Sequence, residues 1–254
     1  MPQTIFKRYE TKYMVTTAQY EILRRVLWSK TTEDQYGDYT ITNLYYDTDD
    51  FALARASIEK PVYKEKLRLR CYGTASGDAT VFLELKKKYK GVVYKRRISL
   101  LYDDAMQALC KTEYKKDASE FVSRRGAGQP DASQIEKEIA TFLAVHPVSA
   151  KAFISYDRVA LSGAEDAGLR VTFDRNIRFR REDLRLDRGI WGKEILEPGK
   201  VLMEIKTEGA MPLWLCRTLG VNGIFPSSYS KYGTCYTDYI LNEANGQRRE
   251  LIYA

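Results

Sequence analysis

The residues with chemical reach in this chain are lysines and arginines spaced two apart. Lys64, Lys66, Arg68 and Arg70 recur at every second position, as do Glu84, Lys86 and Lys88, and then Lys95 and Arg97. Glu10 and Lys12 keep the same rhythm near the start, and Tyr156 with Arg158, Arg170 with Asp174, and Glu204 with Lys206 repeat it later. A period of two places such residues on one face of a β-strand. Rows of cations with a few carboxylates among them are suited to holding a polyanion. Guanidinium and ammonium groups meet phosphate oxygens, and guanidinium does so with two parallel hydrogen bonds. Glu204, Glu84 and Glu10 are the strand-borne carboxylates that suit a hard divalent ion, Mg²⁺ or Mn²⁺.

Other chemistries lack their residues. The one histidine, His146, precedes Pro147, so paired-histidine metal sites are excluded. A Ser-His-Asp triad would have to use it in FLAVHPVSA, which holds no nucleophile elbow. Cys71, Cys110, Cys216 and Cys235 form no CxxC pair and are expected as reduced thiols in a cytoplasmic protein. Neither a P-loop nor a strand-borne GxGxxG is present. Forty-one basic against 34 acidic side chains leave +7, which calls for an anionic partner. No apolar run approaches the ~18 residues of a membrane span, and the first residues lack a signal-peptide core.

The elements that must carry these residues follow from periodicity. Strands are expected at Ile5–Val15, Tyr39–Tyr46, Val62–Tyr72, Thr80–Tyr89, Val92–Leu101, Ala152–Ser162, Leu169–Arg178 and Lys200–Glu208. Thr16 and Thr17 cap a helix to Trp28 with the stripe Ile22, Leu23, Val26 and Leu27. Short helices are expected at Phe51–Ala56 and Pro212–Leu219, and a C-terminal one at about 229–243. A helical insertion covers about 102–147, with Leu101–Lys111, Gln134–Val145 and the loop-like Ser123–Ser133. One α+β domain over 1–254 accommodates all of these. Alternation alone leaves two arrangements open: a solvated basic face, or a closed barrel with a cationic lumen.

Several of these strands carry motifs similar to those of the triphosphate tunnel metalloenzymes, and among them of the VTC-type polyphosphate polymerases. The motifs are Arg8-Tyr9-Glu10-Thr11-Lys12-Tyr13, Lys66-Leu67-Arg68-Leu69-Arg70, Glu84-Leu85-Lys86 and Tyr94-Lys95-Arg96-Arg97. They continue with Ser155-Tyr156-Asp157-Arg158, Leu169-Arg170-Val171-Thr172-Phe173-Asp174, Met203-Glu204-Ile205-Lys206 and Ser228-Tyr229-Ser230-Lys231-Tyr232. The resemblance spans residues 5 to about 240, and the number and order of the motifs make it specific. Arg8 stands where the ExExK pattern of the wider superfamily has its first glutamate, a departure typical of the polymerase branch. The resemblance implies an eight-stranded antiparallel β-barrel, the triphosphate tunnel, with helices outside and at one end, and ATP-driven polyphosphate synthesis. No SPX-like regulatory region is expected ahead of the first strand.

The roles follow residue by residue. Lys12, Arg68, Arg70, Lys86, Arg158, Arg170 and Lys206 are the expected catalytic cations. Lys95, Arg97, Tyr156, Ser230 and Lys231 are the expected substrate contacts. Glu204 is the leading metal ligand, with Glu84 and Glu10 as counter-charges or further ligands, and Asp174 is an orienting partner for Arg170. Lys87 and Arg96 point the other way by parity, and Arg178–Arg181 is taken as solvated charge that guides polymer outside. The expected partners are ATP and polyphosphate, without nucleic acid and without a membrane-spanning segment. Two other functions compete: a tunnel-fold triphosphatase, and a basic, tyrosine-rich nucleic-acid-binding module. Carboxylates interleaved with the cations disfavour the second.

Overall fold

The computed structural model describes residues 9–59, 61–90, 92–110 and 132–242. Arg8, most of Ser123–Ser133 and the end of the expected C-terminal helix lie outside these residues. The chain forms two compact units. The first comprises residues up to Ile41, Ser155–Phe179 and from Trp191 onward; the second comprises Thr42–Ile154 and Arg180–Ile190.

In the first unit β1 (Tyr9–Thr16) leads into α1 (Thr17–Trp28). Thr16 caps this helix. Its hydroxyl accepts from Gln19 N at 3.1 Å, while Gln19 Oε1 accepts from Thr16 N at 3.0 Å, so two otherwise orphaned donors are satisfied reciprocally. The buried stripe Tyr20, Leu23 and Leu27 packs with Tyr13, Val15, Val171, Phe173, Met203 and Leu219. Those partners come from β1, β7 (Arg170–Arg180), β9 (Lys200–Thr207) and α5 (Leu213–Val221). This face is the apolar side of an alternating sheet, so the charged residues of the same strands point to the other side.

The second unit holds α2 (Ala52–Glu59), the meander β3 (Tyr63–Tyr72), β4 (Thr80–Tyr89) and β5 (Val92–Leu101), then α3 (Tyr102–Cys110) and α4 (Ala132–Val145). Leu67, Leu69, Leu83, Leu85 and Ile98 bury one face of the meander with Tyr102, Met106, Ile139 and Phe142. Lys87 and Arg96 lie on that helix-covered side and both donate to Glu138 Oε2, at 3.3 and 3.2 Å. Parity therefore separates them correctly from the cations of the opposite face. Asp47, at the end of β2 (Thr31–Asp47), is fully buried and accepts from Leu53 N and Ala54 N at 2.9 Å each, which anchors the start of α2.

The hydrogen-bonded strand order is β10-β1-β9-β7-β6-β2-β3-β4-β5, with β8 (Lys193–Glu194) beside β7, β6 covering Ser149–Gly163 and β10 covering Pro226–Ser227. The fold is an antiparallel, sheet-rich α+β fold, as expected. The closed eight-stranded barrel is not what is observed: among the described residues, nine strands form an open path with β10 and β5 at its ends, and β8 is a tenth beside it. Two added strands are only two residues long, too short to show a period. At one end of the path, Pro226 has no N–H to donate. The expected C-terminal helix is α6 (Lys231–Cys235) followed by a π-helical turn, Tyr236–Ile240.

One charged run is corrected. Arg180 is buried, not solvated. Its guanidinium stacks 3.4 Å over the Phe153 ring and donates to the carbonyls of Glu182, Asp183, Arg185 and Gly189 at 3.0–3.2 Å. A planar fork with five donors shapes this loop from within.

Candidate functional site

The second unit builds its site around one carboxylate. Glu84 is 1% exposed, on the middle strand of the meander. Register places it directly between Arg68 and Arg97. Arg68 donates to Oε2 through Nε at 2.8 Å and Nη2 at 2.7 Å, and Arg97 to Oε1 through Nε at 2.8 Å and Nη2 at 2.6 Å. Lys95 Nζ joins Oε1 at 2.5 Å, and Arg70 Nε lies 3.9 Å from Oε2. Burial alone would raise the Glu84 carboxyl pKa, but Arg68, Arg70, Lys95 and Arg97 overcome it and hold it far below the usual range. Arg70 is buried and donates to Asn43 Oδ1 at 2.9 Å; Arg68 also donates to the Tyr45 hydroxyl at 3.2 Å. Desolvation lowers Lys95 to about 7 against the pull of Glu84.

The first unit contains a ring of four charges. Lys12 faces Glu204 and Glu10 faces Lys206 across β1 and β9. Lys206 Nζ lies 2.7 Å from Glu204 and 3.9 Å from Glu10, while Lys12 Nζ lies 3.9 Å from Glu204 and 4.0 Å from Glu10. Lys12 also donates to the Tyr229 carbonyl at 3.0 Å. Burial raises the Glu204 pKa, but Lys206, Lys12 and Arg158 together hold it well below the ordinary carboxylate range. The Thr172 hydroxyl, opposite Glu204 in register, is buried without a partner among the described residues.

A second cluster in this unit centres on Asp174, which is 1% exposed. Arg158 grips it with Nε at 2.6 Å and Nη2 at 2.8 Å, and Lys231 bonds to Oδ2. Burial opposes ionisation of Asp174, and Lys231 and Arg158 outweigh it and keep the pKa low. Tyr156 lies flat beneath both cations, its ring 4.3 Å from Lys231 Nζ and 5.1 Å from the Arg158 guanidinium carbon. The orienting role expected for Asp174 thus falls on Arg158 rather than Arg170. Arg170 sits at the exposed end of the Lys206 rung, 3.7 Å from Asp34. Ser230 spends its hydroxyl as the cap of α6, accepting from Gly233 N at 3.2 Å.

The metal candidates separate. Among the described residues, no three His, Cys, Asp or Glu side chains gather into a metal-holding group. Both Glu84 oxygens are occupied by cations, which makes it a counter-charge. Glu204 and Glu10 are two carboxylates on neighbouring strands, each with Lys12 and Lys206 within 4.0 Å; a hard ion that takes one or two carboxylates and completes its shell with phosphate oxygens and water would share them with these lysines.

Lys86 lies between Lys66 and Lys95 in register. Asn43, Tyr45, Thr172 and the Tyr229 carbonyl were not legible as site groups: they are uncharged and stand in no repeating row.

The sequence matches the VTC domain family over residues 7–239. The chain belongs to that family. Subunit 4 of the vacuolar transporter chaperone complex of Schizosaccharomyces pombe is 26% identical to this VTC domain over 198 residues. That match covers 71% of the present chain and 27% of the yeast protein, so the chain spans about a quarter of its relative. A putative adenylate cyclase from Vibrio parahaemolyticus overlaps 92% of the VTC domain and 100% of its own chain, with a TM-score of 0.47 and 11% identity. A putative adenylyl cyclase from Hippeastrum, described as having a dominant triphosphatase activity, overlaps 88% and 92%, with a TM-score of 0.49 and 17% identity. The family assignment rests on the sequence match.

Proposed function

We propose that this VTC domain is a cytoplasmic, ATP-dependent polyphosphate polymerase that moves the γ-phosphate of ATP onto a growing inorganic polyphosphate chain. The observation that carries this reading is Glu84. A buried carboxylate holds three arginines and a lysine in place on one sheet face, an arrangement suited to a string of phosphates. In the reaction, a terminal phosphate oxygen of the chain attacks the γ-phosphorus, the bond from that phosphorus to the β–γ bridging oxygen breaks, and ADP leaves. The attacking oxygen is already an anion, so no general base is required. The protein contributes position and charge: within the second unit Arg68, Arg70, Arg97, Lys86 and Lys95, and within the first unit Lys12, Lys206, Arg158, Arg170 and Lys231, are the cations that hold and neutralise phosphates. Mn²⁺ or Mg²⁺ held by Glu204 with Glu10 would neutralise charge on the transferred phosphoryl group.

Incubation with ATP and Mn²⁺ tests the proposal, with long polymer scored against free phosphate. Polymer is the expected product, and Arg170→Ala or Lys12→Ala should abolish it in a folded protein. One arginine at a phosphoryl-transfer centre is worth about 10³–10⁵ in rate, or roughly 4–7 kcal/mol. Free phosphate alone would establish a triphosphatase instead. Tight nucleic-acid binding with a steep salt slope would favour the nucleic-acid module.

A further inference from the structure

Helix α5 is apolar on both of its sides. Leu215 and Leu219 are buried against the sheet, yet Leu213 and Val221 on the opposite side are exposed. A helix that is apolar all round is ordinarily covered all round. Among the described residues, Val221, Phe225 and Trp28 are the most exposed large apolar side chains, at 87%, 72% and 70%. Phe225 follows α5, and Trp28 ends α1. The two helices lie side by side and antiparallel. Gln19 Nε2, at the start of α1, donates to the Asn222 carbonyl just past α5 at 3.1 Å. Ser29 and Lys30, just past α1, share the lining of one cavity with Pro212 and Trp214 at the start of α5. Leu213, Arg217 and Val221 fall at i, i+4 and i+8 on the outer side of α5, and Glu21, Arg24, Arg25 and Trp28 fall at i, i+3, i+4 and i+7 on the outer side of α1. All of these are exposed.

The charge of this layer is one-sided. From Gly209 to Tyr229 the sequence holds no Asp or Glu, and Arg217 is its only charge. On α1 the outer stripe carries Arg24 and Arg25 against Glu21. Glu165 and Asp166 line the cavity beside Lys30, so the positive excess lies with the three arginines. We propose that the outer face of α1 and α5, continued by Phe225, docks on the surface of an anionic lipid bilayer. Both ingredients of interfacial binding are present: apolar side chains to bury at the boundary between headgroups and acyl chains, and cations to meet lipid phosphates. Tryptophan suits that boundary, because its ring is apolar and its indole N–H is polar. A second copy of this chain is a poorer occupant, since a two-fold contact sets the arginines against their own copies. The aliphatic side chains of Leu213 and Val221 give nucleic-acid bases no ring to stack on. Docking in this way leaves the charged face of the sheet free, because α1 and α5 cover its apolar side.

Sedimentation with vesicles tests this, comparing pure phosphatidylcholine with a mixture of about two parts phosphatidylcholine to one of phosphatidylserine. Excess tripolyphosphate is present throughout, to occupy the cationic face of the sheet. The full chain should pellet with the mixed vesicles and stay in solution with phosphatidylcholine alone. Val221→Ser combined with Phe225→Ser should weaken the association at least about tenfold, and Arg217→Gln about fivefold. Val145→Ser, which removes an exposed valine of the second unit, should leave it unchanged. Bromine-labelled lipids should quench the tryptophan fluorescence, and Trp28→Phe should lose most of that quenching. A thermal melt confirms that each variant is folded. Equal binding to both kinds of vesicle, no binding to either, or a double variant that binds like the wild type would overturn the proposal. So would a concentration-dependent dimer that disappears in the double variant, because this face would then be a self-association surface.

Discussion

Replacing Glu84 by glutamine keeps the side-chain shape and removes the charge that Arg68, Arg70, Lys95 and Arg97 surround. The amide also turns an N–H₂ donor toward guanidinium donors. Removing one partner of a buried ion pair costs about 3–5 kcal/mol, and that is the loss expected at pH 7. The pH dependence follows from the depressed Glu84 pKa. In the unfolded chain a glutamate binds its proton near pH 4.3, whereas the folded carboxylate stays ionised well below that. Its stabilisation is therefore complete above about pH 4.3 and is lost as pH falls toward the folded value. Between pH 7 and pH 3 the loss comes to about 1.3 pH units at 1.36 kcal/mol each, or roughly 2 kcal/mol. Urea unfolding of both proteins at the two pH values measures it: the gap between wild type and Glu84→Gln should be about 2 kcal/mol smaller at pH 3. Saturating polyphosphate at pH 7 should narrow the gap as well, because the ligand restores negative charge to the cations. A cost under about 1 kcal/mol, or a gap that does not change with pH, would refute the view that this carboxylate organises the site.

In the first unit, Glu204→Gln should remove divalent-ion-dependent turnover and leave metal-free nucleotide binding intact or tighter, whereas Lys206→Ala should weaken that binding first; nucleotide affinity with and without Mn²⁺ separates the two. Lys95 releases its proton near pH 7 in the free protein, so polyphosphate binding above that pH should draw a proton back. Calorimetry in buffers of different ionisation enthalpy should detect this uptake in the wild type and not in Lys95→Arg. Arg180→Met should destabilise the fold by about 2–4 kcal/mol, because four carbonyls lose their donor, and a urea melt measures the loss.

The sequence by itself determined which side of each strand bears the chemistry. Alternation is a property of the extended backbone, so Arg68, Arg70, Lys95 and Arg97 share a face whatever the strands pair with, and Lys87 and Arg96 are excluded from it. It also determined the capped helix after β1, since Thr16 and Gln19 interact within one turn. The motifs determined the family, because their order along the chain is itself sequence information. Partnership was decided by the tertiary structure. Strand register set Glu84 between Arg68 and Arg97, and Lys12 opposite Glu204, and no spacing within a single strand contains that information. Asp174 went to Arg158 and Lys231, residues 16 and 57 positions away, rather than to Arg170 on its own face. Arg180 looks like its neighbours in a basic run, and only the Phe153 ring beneath it and the loop carbonyls around it make it a buried strut. Whether the sheet closes is likewise invisible in the periodicity: a strand's alternation records which faces are polar, while closure depends on which edges have donors and acceptors left to pair.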